Sequence, residues 1–129
     1  MHALIIEDDY LIGRSIQDML SDLGFTEFSF ARSEDAAMLA ATGPETFDLV
    51  TADVRLLPGD GVGAAEMLHT QKGTPLVFVT AYAEELNDRV GARLAEVPIV
   101  QKPVKVAEFE AAVRQALATA RPTPRPEST

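Results

Sequence analysis

Short apolar runs of strand length alternate with stretches of helical period along most of this chain. Leu4-Ile5-Ile6 reads as a buried strand that stops abruptly at Glu7-Asp8-Asp9. Leu11, Ile12, Ile16, Met19, Leu20 and Leu23 then fall on one helical face, and Gly24 marks a stop. Phe28-Ser29-Phe30-Ala31 predicts a second, short strand. Ser33 is placed to cap a helix over 34–41, which Gly43-Pro44 breaks. Phe47 to Ala52 predicts a third strand, ending at Asp53. Residues 57–63, Leu-Pro-Gly-Asp-Gly-Val-Gly, have the composition of a flexible loop, and Ala64 to His69 forms the core of a short helix. Pro75 to Thr80 is the clearest strand. Glu84 to Leu94 is helical but interrupted by Gly91. Pro98 to Gln101 predicts a fifth strand. Val106 to Leu117 predicts a last helix with Phe109, Val113, Ala116 and Leu117 inward.

Five strands alternating with five helices predict an α/β fold, a parallel sheet covered on both faces. Residues 1–119 are expected to form one domain. Over 120–129 proline recurs at every second position from Pro122 to Pro126, predicting an extended, disordered tail. Composition adds constraints. The chain has 129 residues, 47% of them hydrophobic, which suffices for one core. Its formal net charge of -9 opposes direct binding to nucleic-acid phosphates. With no cysteine, thiol catalysis and thiolate metal sites are excluded. The first residues lack a basic segment, which argues against a secretory leader. No apolar stretch approaches the roughly 20 residues that span a bilayer. A cytoplasmic protein without membrane insertion is expected.

The informative feature is where the charges fall. Glu7, Asp8 and Asp9 follow the first strand, and Asp53 follows the third. Thr80 ends the fourth strand, and Lys102 follows the fifth. In an open parallel sheet the carboxyl ends of the strands share one edge, and ligands bind there at the switch point. By analogy with the flavodoxin-like order 2-1-3-4-5, the first and third strands are neighbours. Carboxylates crowded at that edge raise one another's pKa or require a cation. Oxygen ligands without His or Cys favour a hard ion such as Mg²⁺. A carboxylate, a cation site, an ammonium and a hydroxyl together match the needs of phosphoryl transfer to an aspartate.

These segments resemble the receiver domain of two-component response regulators. The resemblance covers about residues 3–118 and implies a flavodoxin-like, doubly wound sheet of five parallel strands with five helices. It rests on Leu4-Ile5-Ile6-Glu7-Asp8-Asp9, Asp48-Leu49-Val50-Thr51-Ala52-Asp53, Leu57-Pro58-Gly59-Asp60-Gly61, Phe78-Val79-Thr80-Ala81 and Lys102-Pro103, all in order. It implies that Asp53 is the phosphoacceptor. Asp8 would bind Mg²⁺ directly, Glu7 through water, and Arg55 through its backbone carbonyl. Thr80 would be the switch hydroxyl, and Lys102 would pair with phosphate or acceptor. The Lys102-Pro103 peptide is expected to be cis. A sensor histidine kinase or histidine phosphotransfer protein would donate the phosphoryl group, and an unknown downstream protein would read it. A phosphate sink is the alternative output. The chain ends soon after the last helix, so a single-domain regulator without a DNA-binding partner domain is expected.

The chain departs from the usual pattern in two places. Ile99 stands where the family carries an aromatic, three residues before the lysine, and Thr80 follows Asp53 by only 27 residues. Phe78-Val79-Thr80-Ala81-Tyr82 resembles a subgroup lacking the switch aromatic, associated with stress-response phosphorelays. Ile99→Tyr is expected to leave the phosphorylation chemistry intact.

Plainer readings stand beside these. Acidic residues favour helix N-termini, and Asp9 is read as a helix-entry residue. Gly59-x-Gly61-x-Gly63 is a weak phosphate-loop signal. His2 and His69 are read as incidental, the methionines as core filler, and Tyr82 as either partner-facing or packing. The rival functions are an aspartyl-phosphate phosphatase and a binding module that is never phosphorylated. Against the first, Arg55 occupies the position where such enzymes carry a second acid. The protein is therefore expected not to be an enzyme acting on external substrates.

Overall fold

The computed structural model describes residues 1–56 and 58–119. The tail predicted over 120–129 and Leu57 of the predicted loop lie outside the described residues. Element order is β1 (His2–Ile6), α1 (Tyr10–Asp22), β2 (Glu27–Ala31), α2 (Glu34–Thr42), β3 (Leu49–Ala52), α3 (Val62–Lys72), β4 (Leu76–Thr80), α4 (Ala83–Val90), a 3₁₀ turn (Gly91–Leu94), β5 (Ile99–Gln101) and α5 (Val106–Thr119). All strand pairs are parallel, in the order β2-β1-β3-β4-β5.

The near-continuous apolar runs of the strands follow from burial on both faces. Side chains alternate along each strand. Leu4, Ile6, Val50, Ala52, Leu76 and Phe78 face the cluster under α2, α3 and α4. Ala3, Ile5, Leu49, Val77, Val79 and Val100 face the cluster under α1 and α5. Ile16 and Leu20 of α1 and Phe109 and Val113 of α5 complete that second layer. Met38 and Met67 pack at the margin of the first cluster and Met19 at that of the second, as filler.

Local chemistry sets the helix ends. The Asp9 carboxylate accepts from Ile12 N–H at 3.0 Å, and the Ser33 hydroxyl accepts from Ala36 N–H at 3.1 Å. After α1, Gly24 adopts φ 101°. Its N–H bonds to Ser21 O and that of Phe25 to Leu20 O, the paired bonds of a Schellman stop.

Several predicted bounds shift, each for a physical reason. β3 starts at Leu49 rather than Phe47, and the Phe47 ring instead meets His2 edge-on at 4.9 Å. β4 and β5 each begin one residue after the predicted proline. Pro75 and Pro98 lack an N–H and only accept, from Val50 and Phe78 N–H. α3 is longer than its predicted core and reaches Lys72, so the short Asp53–Thr80 spacing leaves only residues 73–75 between α3 and β4. Gly91, at φ 47° and ψ -133°, divides the predicted 84–94 helix into α4 and the 3₁₀ turn. The histidines are structural. His2 Nε2 lies 2.8 Å from the Ser29 hydroxyl, and His69 Nδ1 lies 2.9 Å from Thr74 O.

Candidate functional site

The backbone laces the strand ends together at the carboxyl edge of the sheet. Asp53 N–H donates to Ile6 O at 2.9 Å, and Lys102 N–H donates to Thr80 O at 2.9 Å. Residues far apart in sequence therefore meet. Glu7, Asp8 and Asp53 each offer a carboxylate oxygen, and these atoms lie within 4.8 Å of one another. Lys102 Nζ sits 2.7 Å from Asp53 Oδ2 and 2.8 Å from Glu7 Oε1. The Lys102-Pro103 peptide that carries it is cis, as the sequence led one to expect.

Burial makes this cluster costly. Glu7 is 1% exposed and Asp53 6%. Two buried charges persist only with good partners, and here the Glu7 and Asp53 carboxylates share the Lys102 ammonium. Burial pushes the Glu7 carboxyl up from 4.5 to about 7. The Asp53 charge acts in the same direction. The Lys102 ammonium and the Asp9 N–H, 3.1 Å from Glu7 Oε2, oppose it. Burial alone would lower Lys102, but hydrogen bonds to Asp53 and Glu7 outweigh it and hold the ammonium above its ordinary value. Asp53 Oδ1 is buried without a hydrogen-bond partner. An orphaned carboxylate oxygen beside two further acids fits a hard divalent cation, and the all-oxygen donor set favours Mg²⁺. Glu7, Asp8 and Asp53 are the side chains placed to hold it.

Thr80 is fully buried, and its hydroxyl accepts from Tyr82 N–H at 3.0 Å. Arg55 lies in the turn just past Asp53. That turn, expected to be flexible, is pinned at several points. Leu56 N–H bonds to Gly59 O, Gly61 N–H to Val54 O, and Asp60 N–H to the Glu34 carboxylate. A Cβ on Gly61 would stand 2.5 Å from Asp53 O, so glycine is required where the loop crosses the strand end. Gly59 and Gly61 serve close approach, to Glu34 and to Asp53 O, whereas a Cβ on Gly63 would meet nothing within 4 Å.

Sequence reading did not reveal the neighbours of Arg55. Its guanidinium makes a forked pair with Glu85, at 3.2 and 3.3 Å, and lies 4.0 Å above the Tyr82 ring. Asp60 pairs with Arg89 at 3.1 Å. Thirty positions separate Arg55 from Glu85, with no periodicity to link them. Ile99 is partly buried against the cluster under α4.

Comparisons with known proteins agree with this geometry. Residues 3–114 match the family model described as response regulator receiver domain. The chain is 31% identical to the phyllosphere-induced regulator PhyR of Methylorubrum extorquens over 88% of its own length and 42% of that protein's. It is 28% identical to the probable transcriptional regulator ycf27 of Cyanidium caldarium, covering 90% of this chain and 46% of that one. It thus spans less than half the length of these two curated relatives. The solution structure of the Erythrobacter litoralis PhyR receiver domain superposes with a TM-score of 0.80 at 31% identity, covering 96% of this chain and 95% of that one. The receiver domain of the Pseudomonas aeruginosa sensor histidine kinase PA1611, solved with magnesium in its cleft, shares the fold at TM-score 0.74 and 21% identity, over 92% of this chain and 98% of that one.

Proposed function

This chain belongs to the response regulator receiver domain family, and from that premise we propose that it accepts a phosphoryl group on Asp53 in a Mg²⁺-dependent reaction. The carrying observation is the arrangement around Asp53: one oxygen on Lys102, the other without a hydrogen-bond partner, and Glu7 and Asp8 close by. The donor is a phosphohistidine on a sensor kinase or phosphotransfer protein. An Asp53 oxygen forms the new O–P bond as the N–P bond breaks, and the released imidazole takes up a proton. Lys102 pairs with the carboxylate and then neutralises charge on the transferred group. Thr80 supplies a hydroxyl donor from the end of β4. Bound at Asp8, Asp53 and the Arg55 carbonyl, with Glu7 acting through water, Mg²⁺ would supply Lewis-acid neutralisation of the phosphoryl oxygens.

On this reading the protein is a signalling acceptor rather than an enzyme for external esters. At the position where a phosphatase would carry a second acid, the Arg55 guanidinium is engaged by Glu85, which holds its pKa above the ordinary value. Output is by protein contact or as a phosphate sink, in a cytoplasmic phosphorelay; the -9 charge opposes nucleic acid as the target. Stand-alone action, and a place in a stress response through the Phe78–Tyr82 subgroup, belong to the same proposal.

Intact mass after incubation with Mg²⁺ and acetyl phosphate tests the chemistry. A phosphoryl adduct should form in the wild type and be absent in Asp53→Asn and in excess chelator. An unmodified wild-type mass with acetyl phosphate and with every kinase tried would overturn the reading, and steady turnover of phosphate esters would point to the phosphatase.

A further inference from the structure

We propose that Arg55 couples the acceptor site to α4, by moving its guanidinium from Glu85 to an anion on Asp53. This rests on the phosphoacceptor reading above. The helix α4 has eight residues, between Tyr82 and the Gly91 break. Its buried anchors are Leu86 and Val90 alone. The other attachments are ionic and recur every four residues. Glu85 pairs with Arg55, Arg89 with Asp60 at 3.1 Å, and, just past the break, Arg93 with Glu66 at 2.8 Å. Two of these partners, Arg55 and Asp60, sit on the turn that follows Asp53.

Arg55 holds the first turn of α4 in two ways. It makes the fork to Glu85, and it stacks on Tyr82, whose N–H is bonded to the Thr80 hydroxyl. One guanidinium, two residues beyond Asp53, thus touches both the helix and the segment anchored at Thr80. Ile99 offers no ring at the β5 position to carry a rotamer change toward the same helix.

The chemistry favours exchange. The Arg55–Glu85 pair is exposed, with side-chain exposures of 58% and 41%, so it is weakly held. A phosphoryl group carries about -1.5 to -2 charges and three strong acceptors, and matches the guanidinium fork. Once the guanidinium turns to it, Glu85 and Tyr82 lose their partner. The Asp60 and Glu66 pairs still hold the far end. The first turn of α4 loosens while the 3₁₀ end stays in place.

Amide exchange by NMR separates these ends. Leu86 N–H, bonded to Tyr82 O at 3.0 Å, reports the first turn; Val97 N–H, bonded to Leu94 O at 3.0 Å, reports the far end. Beryllium fluoride with Mg²⁺ serves as the stable stand-in for the phosphoryl group. In the wild type it should speed exchange at Leu86 by about two- to fivefold, the range set by an exposed ion pair, and leave Val97 unchanged. Glu85→Gln should show fast Leu86 exchange from the start, with little further response. Glu66→Gln should affect Val97 and spare Leu86. An unchanged wild-type Leu86, or an equal response in wild type and Glu85→Gln, would overturn the proposal. If acetyl phosphate still modifies Asp53 in that case, the phosphoacceptor reading stands and only the Arg55 route falls.

Discussion

Glu7 shows how one buried carboxyl links fold stability to pH. Its folded pKa stands near 7 because burial disfavours the charged form, against 4.5 when unfolded. Between those values the folded protein keeps a proton that the unfolded chain releases. The contribution to stability is therefore fully present below pH 4.5 and is lost as pH rises through about 7. The full swing is on the order of 3 kcal/mol. Glu7→Gln keeps the shape but does not titrate. In chelator, denaturant titrations from pH 5 to pH 8 should show this variant gaining on the wild type as pH rises. Parallel pH profiles of the two proteins would mean that Glu7 is not buried as described. The cost has a use, since a site that disfavours its own carboxylates is prepared for a cation.

At the scale of elements, the strands and their ends were legible because burial on both faces leaves uninterrupted apolar runs that stop at charge. That pattern placed Glu7, Asp8, Asp53, Thr80 and Lys102 on one edge, and the structure brings them there. What the sequence did not show was how the loops attach. Gly91 was visible as a weak point, but its φ of 47°, which turns a weak helix into a broken one, was not. The pairs of Arg55 with Glu85, Asp60 with Arg89 and Glu66 with Arg93 depend on how α4 docks, which no periodicity encodes. The glycines make the same point. Gly61 and Gly63 look alike in sequence, yet a Cβ at 61 would meet Asp53 O at 2.5 Å and Ile6 Cγ2 at 3.0 Å, whereas at 63 it meets nothing within 4 Å. Gly61→Ala should destabilise by about 1–3 kcal/mol through overpacking against backbone, and slow acetyl phosphate labelling. Gly63→Ala, inside α3, should stabilise by about 0.5–1 kcal/mol. Equal melting shifts in the two variants would show that the turn relaxes around Gly61.

Over the whole molecule, the acidic excess and the acidic edge act together. No described helix is long and apolar enough to cross a membrane. The net charge of -9 opposes binding to phosphate-rich surfaces. The same excess concentrates at the site, where carboxylate oxygens of Glu7, Asp8 and Asp53 lie within 4.8 Å of one another and Lys102 pairs with Glu7 and Asp53. A ligand that binds only the folded chain stabilises it by mass action, by about 2.7 kcal/mol at a hundred times its dissociation constant. Saturating Mg²⁺ should therefore raise the melting temperature by several degrees, whereas sodium at matched ionic strength only screens. Asp8→Asn should remove most of the Mg²⁺ response. If Mg²⁺ stabilises Asp8→Asn as strongly as the wild type, the ion is held elsewhere and the three carboxylates are not its site.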